Sequence, residues 1–159
     1  MKEVELKWTE LPSLPPASGQ RKSLGLAGIL AGVHNDALIA AGGSNFPDAP
    51  PWGGGQKVWW DDNFVMQKNV DSQYRWLTDK SFKLPQPSVY GVSISTKEGV
   101  ICIGSCDADK CHNDVFLLQW DPSTRTISTE RLRNGLFWKS NFVLRRFTMA
   151  IIRRTRACA

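Results

Sequence analysis

An all-β chain, a fragment of a β-propeller with about two four-stranded blades, is predicted by three observations. First, a strand ending in a glycine turn occurs twice: Ala37-Leu38-Ile39-Ala40-Ala41-Gly42-Gly43-Ser44-Asn45 and Gly99-Val100-Ile101-Cys102-Ile103-Gly104-Ser105-Cys106-Asp107. Second, 13 Gly, 9 Pro and 7 Trp punctuate short apolar runs, the composition of strands joined by turns. Third, the copies keep a period. Gly42 and Gly104 lie 62 positions apart, whereas Gln67 and Gln119, which close the third strands, lie 52 apart. The difference of 10 is read as an insertion in the Phe46–Trp60 loop.

The elements follow in order. Residues 4–16 alternate around Trp8 and stop at Pro12, Pro15 and Pro16, which predicts the closing strand of a preceding blade. Residues 24–33 are apolar and glycine-rich, and most of them read as an inner strand packed near a ring axis. His34-Asn35-Asp36 supplies a hairpin turn. Residues 37–41 return as the second strand. A long connection from Phe46 to Lys57 leads to strands near 63–66 and 74–77. Leu84-Pro85-Gln86-Pro87 closes that unit. The cycle restarts with 89–95, a turn at 96–99, strand 100–103, strand 114–120, a turn at Asp121-Pro122-Ser123 and strand 126–129.

After allowance for the insertion, the 52-residue period matches the ~50 residues of a kelch blade. A propeller takes about four to eight blades. Two units and one closing strand are therefore expected to be part of a ring, with the missing blades supplied by a further fragment or chain.

Charge divides the chain. Eight of the 20 basic residues follow Glu130, and no acidic residue does. Residues 1–130 hold 12 basic and 15 acidic groups, a net charge of −3, so nucleic acid is not an expected partner. Residues 1–130 read as the partial propeller and 131–159 as a basic tail. The tail lacks blade alternation and proline punctuation. It reads as sequence foreign to the fold, as after an out-of-frame truncation; an amphipathic surface segment or a native helix are the alternatives. No run approaches the ~20 apolar residues of a membrane span. The stretch from Met1 to Trp8 lacks the apolar core of a secretory signal.

The segments Ala41-Gly42-Gly43-Ser44-Asn45-Phe46-Pro47-Asp48-Ala49-Pro50-Pro51-Trp52, Gly55-Gln56-Lys57, Tyr90-Gly91-Val92-Ser93 and Asp114-Val115-Phe116 resemble the sialic acid mutarotases, also called N-acetylneuraminate epimerases. The blade order resembles their cyclically permuted branch. The likeness covers roughly residues 5–130. It implies a six-bladed kelch propeller, periplasmic or extracellular, that interconverts the α and β anomers of N-acetylneuraminate without metal or redox cofactor. Two departures stand out. Gly104 is followed by Ser105 in place of a second glycine, which is tolerable where that position needs no positive φ. Non-permuted members carry an Arg two residues before the Tyr-Gly pair, where this chain has Ser88.

Ring opening requires a base for the anomeric hydroxyl and an acid for the ring oxygen, and the sugar carboxylate requires a cation. Lys57 is the loop cation nearest the matching motif. Asn45 can hydrogen-bond sugar hydroxyls or cap its turn. Trp52, Trp59 and Trp60 can stack on a sugar face, although one of the adjacent pair Trp59 and Trp60 is expected in the core. Tyr90 joins the substrate-binding candidates through its motif. Asp48, Asp61 and Asp62 are possible proton carriers, but Asp61 and Asp62 read first as residues that close a turn, and no catalytic base is named. A metal at Cys106, Cys111 and His112 is not expected, because the second ligand pair of a zinc site is missing. Cys106 and Cys111 flank a loop short enough for a disulfide or for two plain thiols. Cys102 reads as core. Two other functions remain open: a noncatalytic kelch module that binds a glycan or protein, and an inactive remnant.

Overall fold

The computed structural model describes residues 8–132. The basic tail from residue 133 onward and the first half of the predicted N-terminal strand lie outside the described residues.

The first blade begins at β1 (Leu30–His34) and turns through Asn35 and Asp36 into β2 (Ala37–Ala41). Both turn residues have positive φ, 47° and 57°, the backbone of a two-residue hairpin turn whose twist matches its strands. His34, expected in the turn, is instead the last residue of β1 and pairs with Ala37. Gly42 then takes the chain out of the sheet through β3 (Ser44–Asn45) and β4 (Val58–Trp59), which pair with each other. The chain rejoins the blade as β5 (Asp62–Lys68), followed by β6 (Tyr74–Trp76) and β7 (Phe82–Lys83), which both pair with β5. The outer edge of this blade is thus one strand position filled by two short pieces. The second blade is a regular four-stranded meander: β8 (Val92–Ser95), β9 (Val100–Cys106), β10 (Cys111–Asp121) and β11 (Thr126–Arg131). At its outer turn, Asp121 accepts from the Ser123 hydroxyl and backbone N–H, which holds its carboxyl down at about 2. That contribution to the turn is present above the ordinary carboxylate range and fades as pH falls towards 2.

The repeat is confirmed by register. Ile39, three residues before Gly42, pairs with Val65, two before Gln67. Ile101, three before Gly104, pairs with Leu117, two before Gln119. The ten extra residues therefore lie in the excursion from Gly43 to Asp61, as the spacing predicted.

The blades stack face to face. Leu30, Ile39 and Val65 of the first pack on Val100, Leu118 and Trp120 of the second. Cys102 is part of this seam, fully buried, and burial pushes its thiol up to about 12, so it is an inert core residue. Glycine permits the close approach at Gly32, where a β-carbon would fall 2.6 Å from Val100 Cγ1. Serine hydroxyls stitch the inner strands. Ser93 Oγ accepts from Ala31 N–H at 3.1 Å and donates to its carbonyl at 2.7 Å, and Ser95 Oγ accepts from Val33 N–H at 2.9 Å.

Three sequence expectations are corrected. The described part of the N-terminal strand, residues 8–16, forms no strand; three prolines leave too few donors for a ladder. It is held instead by Trp76 Nε1 donating to the Pro12 carbonyl at 2.9 Å. Residues 24–29 are likewise not strand, because Gly25 and Gly28 turn left-handed at φ 74° and 66°. Asp62 does not close a turn. It opens β5, is 4% exposed, and accepts the Ser18 hydroxyl at 2.7 Å and the Lys83 ammonium at 2.9 Å.

Asp62 ties the N-terminal segment to the blade, so Asp62→Ala is expected to cost about 1.5–3 kcal/mol. Urea denaturation measures this, and faster proteolysis within residues 13–20 is expected alongside it. Burial pulls the Lys83 ammonium down, but its bonds to Asp61 and Asp62 outweigh that and raise it. Its share of stability is therefore complete below the usual lysine value and is lost only as pH rises through the higher folded one.

Candidate functional site

The site grows from the turn at Gly42-Gly43. Their φ values, 66° and 99°, are open to glycine and strained for other residues. Gly42 N–H donates to the Asp62 carbonyl at 2.8 Å, Gly43 N–H to the Ser88 carbonyl at 2.9 Å, and Trp60 N–H to the Gly43 carbonyl at 2.8 Å. In the second blade Gly104 repeats the conformation at φ 62°, but Ser105 is not left-handed and the chain runs on as β9 to Cys106. Ser105 thus fits where it stands, and the excursion that builds the site belongs to the first blade alone.

Within that excursion Pro51–Gly53 form a single 3-10 turn, ended by Gly54 at φ 81°. The chain then returns through Lys57 to β4. From the second blade, Tyr90 reaches the same place. Its N–H donates to the Gly28 carbonyl at 2.9 Å, and its backbone is left-handed at φ 60°. The ring lies so close over Gly28 that any β-carbon there would overlap it. Left-handed backbone in a bulky residue is costly and is held only by surrounding structure, a pattern common at functional sites.

Lys57 Nζ donates to Tyr90 Oη at 2.7 Å and stands 4.6 Å from the Tyr90 ring centre and 5.0 Å from that of Trp59. The ammonium thus sits by the Trp59 ring, whose π face favours a cation, and at the hydroxyl end of Tyr90. Among the described residues it has no carboxylate partner within 4.0 Å. The hydrogen bond from Lys57 holds the Tyr90 phenol below its ordinary value. Lys57 and Tyr90 line a cavity of about 500 Å³ with Asn45, Ser44, Phe46, Pro50, Pro51 and residues 24–27. That volume suits a small ligand.

Of the six substrate-binding candidates read from the sequence, Asn45, Lys57 and Tyr90 line this cavity and Trp59 lies beneath the ammonium. Trp52, in the 3-10 turn, is 88% exposed and does not line it. Asn45 is engaged within the protein: its amide oxygen accepts Trp60 Nε1 at 2.9 Å, and its nitrogen donates to the Gly25 carbonyl at 3.0 Å. It braces the wall of the cavity. Trp59 and Trp60 are both half-buried and neither enters the seam, against the expectation that one is core. Asp48, Asp61 and Asp62 do not line the cavity.

Ser88 is buried between the blades, beside a cavity of about 160 Å³ shared with Leu84, Asp114 and Arg131. His34 is buried at the end of β1, where its Nδ1 accepts the Trp120 N–H at 3.0 Å. His112 pairs with Asp107 at 2.9 Å, and Cys106 faces Cys111 across β9 and β10. Among the described residues no cluster of three or more His, Cys, Asp or Glu gathers to hold a metal, and no helix is long and apolar enough to cross a membrane. Sequence reading missed Ser44, Gln20 and Gly28. Gln20 and Gly28 stand outside the repeated motif, and only their contacts with Asn45 and Tyr90 reveal them.

Comparison with known proteins agrees with this architecture. The family model described as N-acetylneuraminate epimerase matches residues 1–127. The N-acetylneuraminate epimerase of Yersinia enterocolitica is 37% identical over 115 residues, 67% of this chain and 28% of that protein. That of Brucella melitensis is 33% identical over 124 residues, 72% of this chain and 30% of the relative. The chain thus spans less than a third of the length of these relatives. Among solved structures, the structure of YjhT, a β-propeller, superposes with a TM-score of 0.58 at 26% identity, covering 78% of this chain and 34% of that one. Two stacked kelch blades, the glycine turn with its long excursion, and a family match through nearly all of both blades lead to one assignment: the chain belongs to the N-acetylneuraminate epimerase family.

Proposed function

We propose that the cavity between the Gly42-Gly43 excursion and Tyr90 binds N-acetylneuraminate or a closely related acidic sugar, and forms part of a site that interconverts its anomers. The observation that carries this reading is the Lys57 ammonium, held between the Trp59 ring and the Tyr90 hydroxyl over a sugar-sized cavity and without a carboxylate of its own among the described residues. A sugar acid brings that carboxylate. Asn45 shapes the wall, and the Trp59 and Tyr90 faces suit the sugar's C–H surface. We place Trp52 at the rim, on its motif alone.

On this reading the other sectors of the ring come from a further segment or a second chain. The face of the second blade carrying Ile101, Ile103 and Leu117 is the register equivalent of the face that the first blade buries in the seam, and it suits such a neighbour. We assign the partial propeller to residues 1–130 with Arg131 closing β11, leave the rest of the basic tail outside the functional unit, and place the activity in the periplasm or outside the cell, as the family resemblance suggests.

NMR of freshly dissolved N-acetylneuraminate tests the reading. Faster anomer equilibration than in buffer supports the enzyme. Binding without acceleration supports a glycan-binding module instead, and the absence of both overturns the reading. Lys57→Met is expected to weaken sugar-acid binding about tenfold or more, through loss of a charge-assisted hydrogen bond. Titration of the methyl α-glycoside, which cannot open, isolates that binding term.

A further inference from the structure

We infer that Cys106 and Cys111 are an oxidisable dithiol site, joined by a cross-strand disulfide that fastens the end of the β9–β10 hairpin on the flank of the candidate cavity. The sugar-acid site itself uses neither residue. The two cysteines are direct register partners. Cys106 N–H donates to the Val89 carbonyl at 2.8 Å, and its carbonyl accepts the Val89 N–H at 3.0 Å. Both of its backbone groups thus turn away from Cys111. Opposed residues that exchange no backbone bonds are the closer kind of antiparallel pair, with α-carbons about 4.5 Å apart. A disulfide bridges α-carbons about 4.4–6.8 Å apart. The side chains of such a pair stand on one side of the sheet, so the sulfurs can meet without the strands moving.

The end of this hairpin is where a fastener has most to hold. β10 slips register between His112 and Val115, which leaves the pairs Cys111–Cys106 and His112–Ser105 beyond the irregularity. The turn past them is gathered by Asp107. It accepts the N–H of Asp109 at 2.8 Å and of Lys110 at 2.9 Å, and it pairs with His112 at 2.9 Å. On its other side Cys106 carries Val89, whose neighbour Tyr90 lines the cavity. A bond at this rung therefore secures one wall of that cavity as well as the turn. Cys102 is no competitor, because it is fully buried in the seam.

Exposure sets the order of the chemistry. Cys111 is exposed and Cys106 half-buried. The Cys111 thiolate attacks one sulfur of a small-molecule disulfide, such as oxidised glutathione. A mixed disulfide forms and one glutathione thiolate leaves. The Cys106 thiolate then attacks the Cys111 sulfur, the bond between the two cysteines forms, and the second glutathione leaves. The protein gives up two electrons to the glutathione disulfide, and the two cysteine protons end on the two released thiols. An oxidising compartment, such as the periplasm proposed above, keeps the bond closed.

Lys110 lies between the two cysteines, so trypsin places Cys106 in peptide 98–110 and Cys111 in peptide 111–125. The full chain is incubated folded with oxidised glutathione, blocked with N-ethylmaleimide in urea, and digested. The two peptides are expected as one linked species that dithiothreitol separates. The link should persist in Cys102→Ala and vanish in Cys106→Ser. Wild-type chain in which Cys106 and Cys111 are both blocked by maleimide, or each carry a glutathione, overturns the inference, as does a link through Cys102. Dithiothreitol is also expected to lower the urea midpoint of the oxidised wild-type chain and to leave that of Cys106→Ser unmoved. The closed loop is short, so the shift is small. A wild-type midpoint that dithiothreitol does not move overturns the fastening role. Neither failure touches the sugar-acid reading, which glycoside titration tests separately.

Discussion

Replacing Trp120 with alanine is expected to lower stability by about 3–5 kcal/mol, the usual cost of emptying a buried aromatic site. Trp120 is 1% exposed and belongs to the seam. Phe82 meets its ring edge-on, with centroids 6.0 Å apart at 85°. Its backbone is gripped by the first blade: the amide donates to His34 Nδ1 at 3.0 Å and the carbonyl accepts Asn35 Nδ2 at 2.8 Å. Truncation leaves those backbone bonds around a void that two rigid sheets cannot close. The indole N–H has no partner in the structure. Trp120→Phe therefore forfeits apolar area but no hydrogen bond, and is expected to cost clearly less than alanine. Urea titration followed by far-ultraviolet circular dichroism separates the two variants. An alanine cost below about 1.5 kcal/mol would show that the seam is not the main core.

Gly42→Ala is expected to cost about 3 kcal/mol or more, and Gly104→Ala about 1–2 kcal/mol. The two glycines occupy equivalent places in the repeat with φ of 66° and 62°, so the left-handed penalty is shared. Their surroundings differ. A β-carbon on Gly42 would overlap the Ser88 carbonyl, the acceptor that joins Gly43 to the second blade. A β-carbon on Gly104 would meet only the His112 carbonyl at 3.5 Å. The excess at Gly42 measures the backbone collision. Equal costs in matched urea titrations would mean that dihedral strain alone sets the requirement for glycine.

Much of the fold was legible because burial in a blade leaves a mark of period two. Ile39, Val65 and Leu118 alternate with residues of the opposite face, so β2, β5 and β10 fell where alternation put them. The glycine and glutamine landmarks marked the register once the ten-residue insertion between them in the first blade was set aside, since the paired strands of both blades obey one geometry. What failed to show were contacts made by single atoms. Asp62 reads as a turn residue until Ser18 and Lys83 are seen to hold it. The apolar run from Leu24 to Ile29 resembles strand, but left-handed glycines break it. The candidate residues of the site were legible through family resemblance, but their relations were not. Lys57 and Tyr90 are 33 positions apart in different repeats, and only stacking of the blades brings them together. Asn45 was a sugar ligand or a turn cap by residue type; its bonds to Trp60 and Gly25 make it part of the frame.

The hydroxyl stitch between the inner strands gives the repeats an order. Ser93 and Ser95 serve Ala31 and Val33, the residues at their own places in the earlier repeat. The fastener runs one way, because alanine and valine have nothing to offer a strand on their other side. Two kelch units of the same register are therefore not interchangeable parts. A gene that transposed them would set methyl groups against the amides of Ser93 and Ser95, and the sequence of sectors around the axis would have to be learned again from the serines outward.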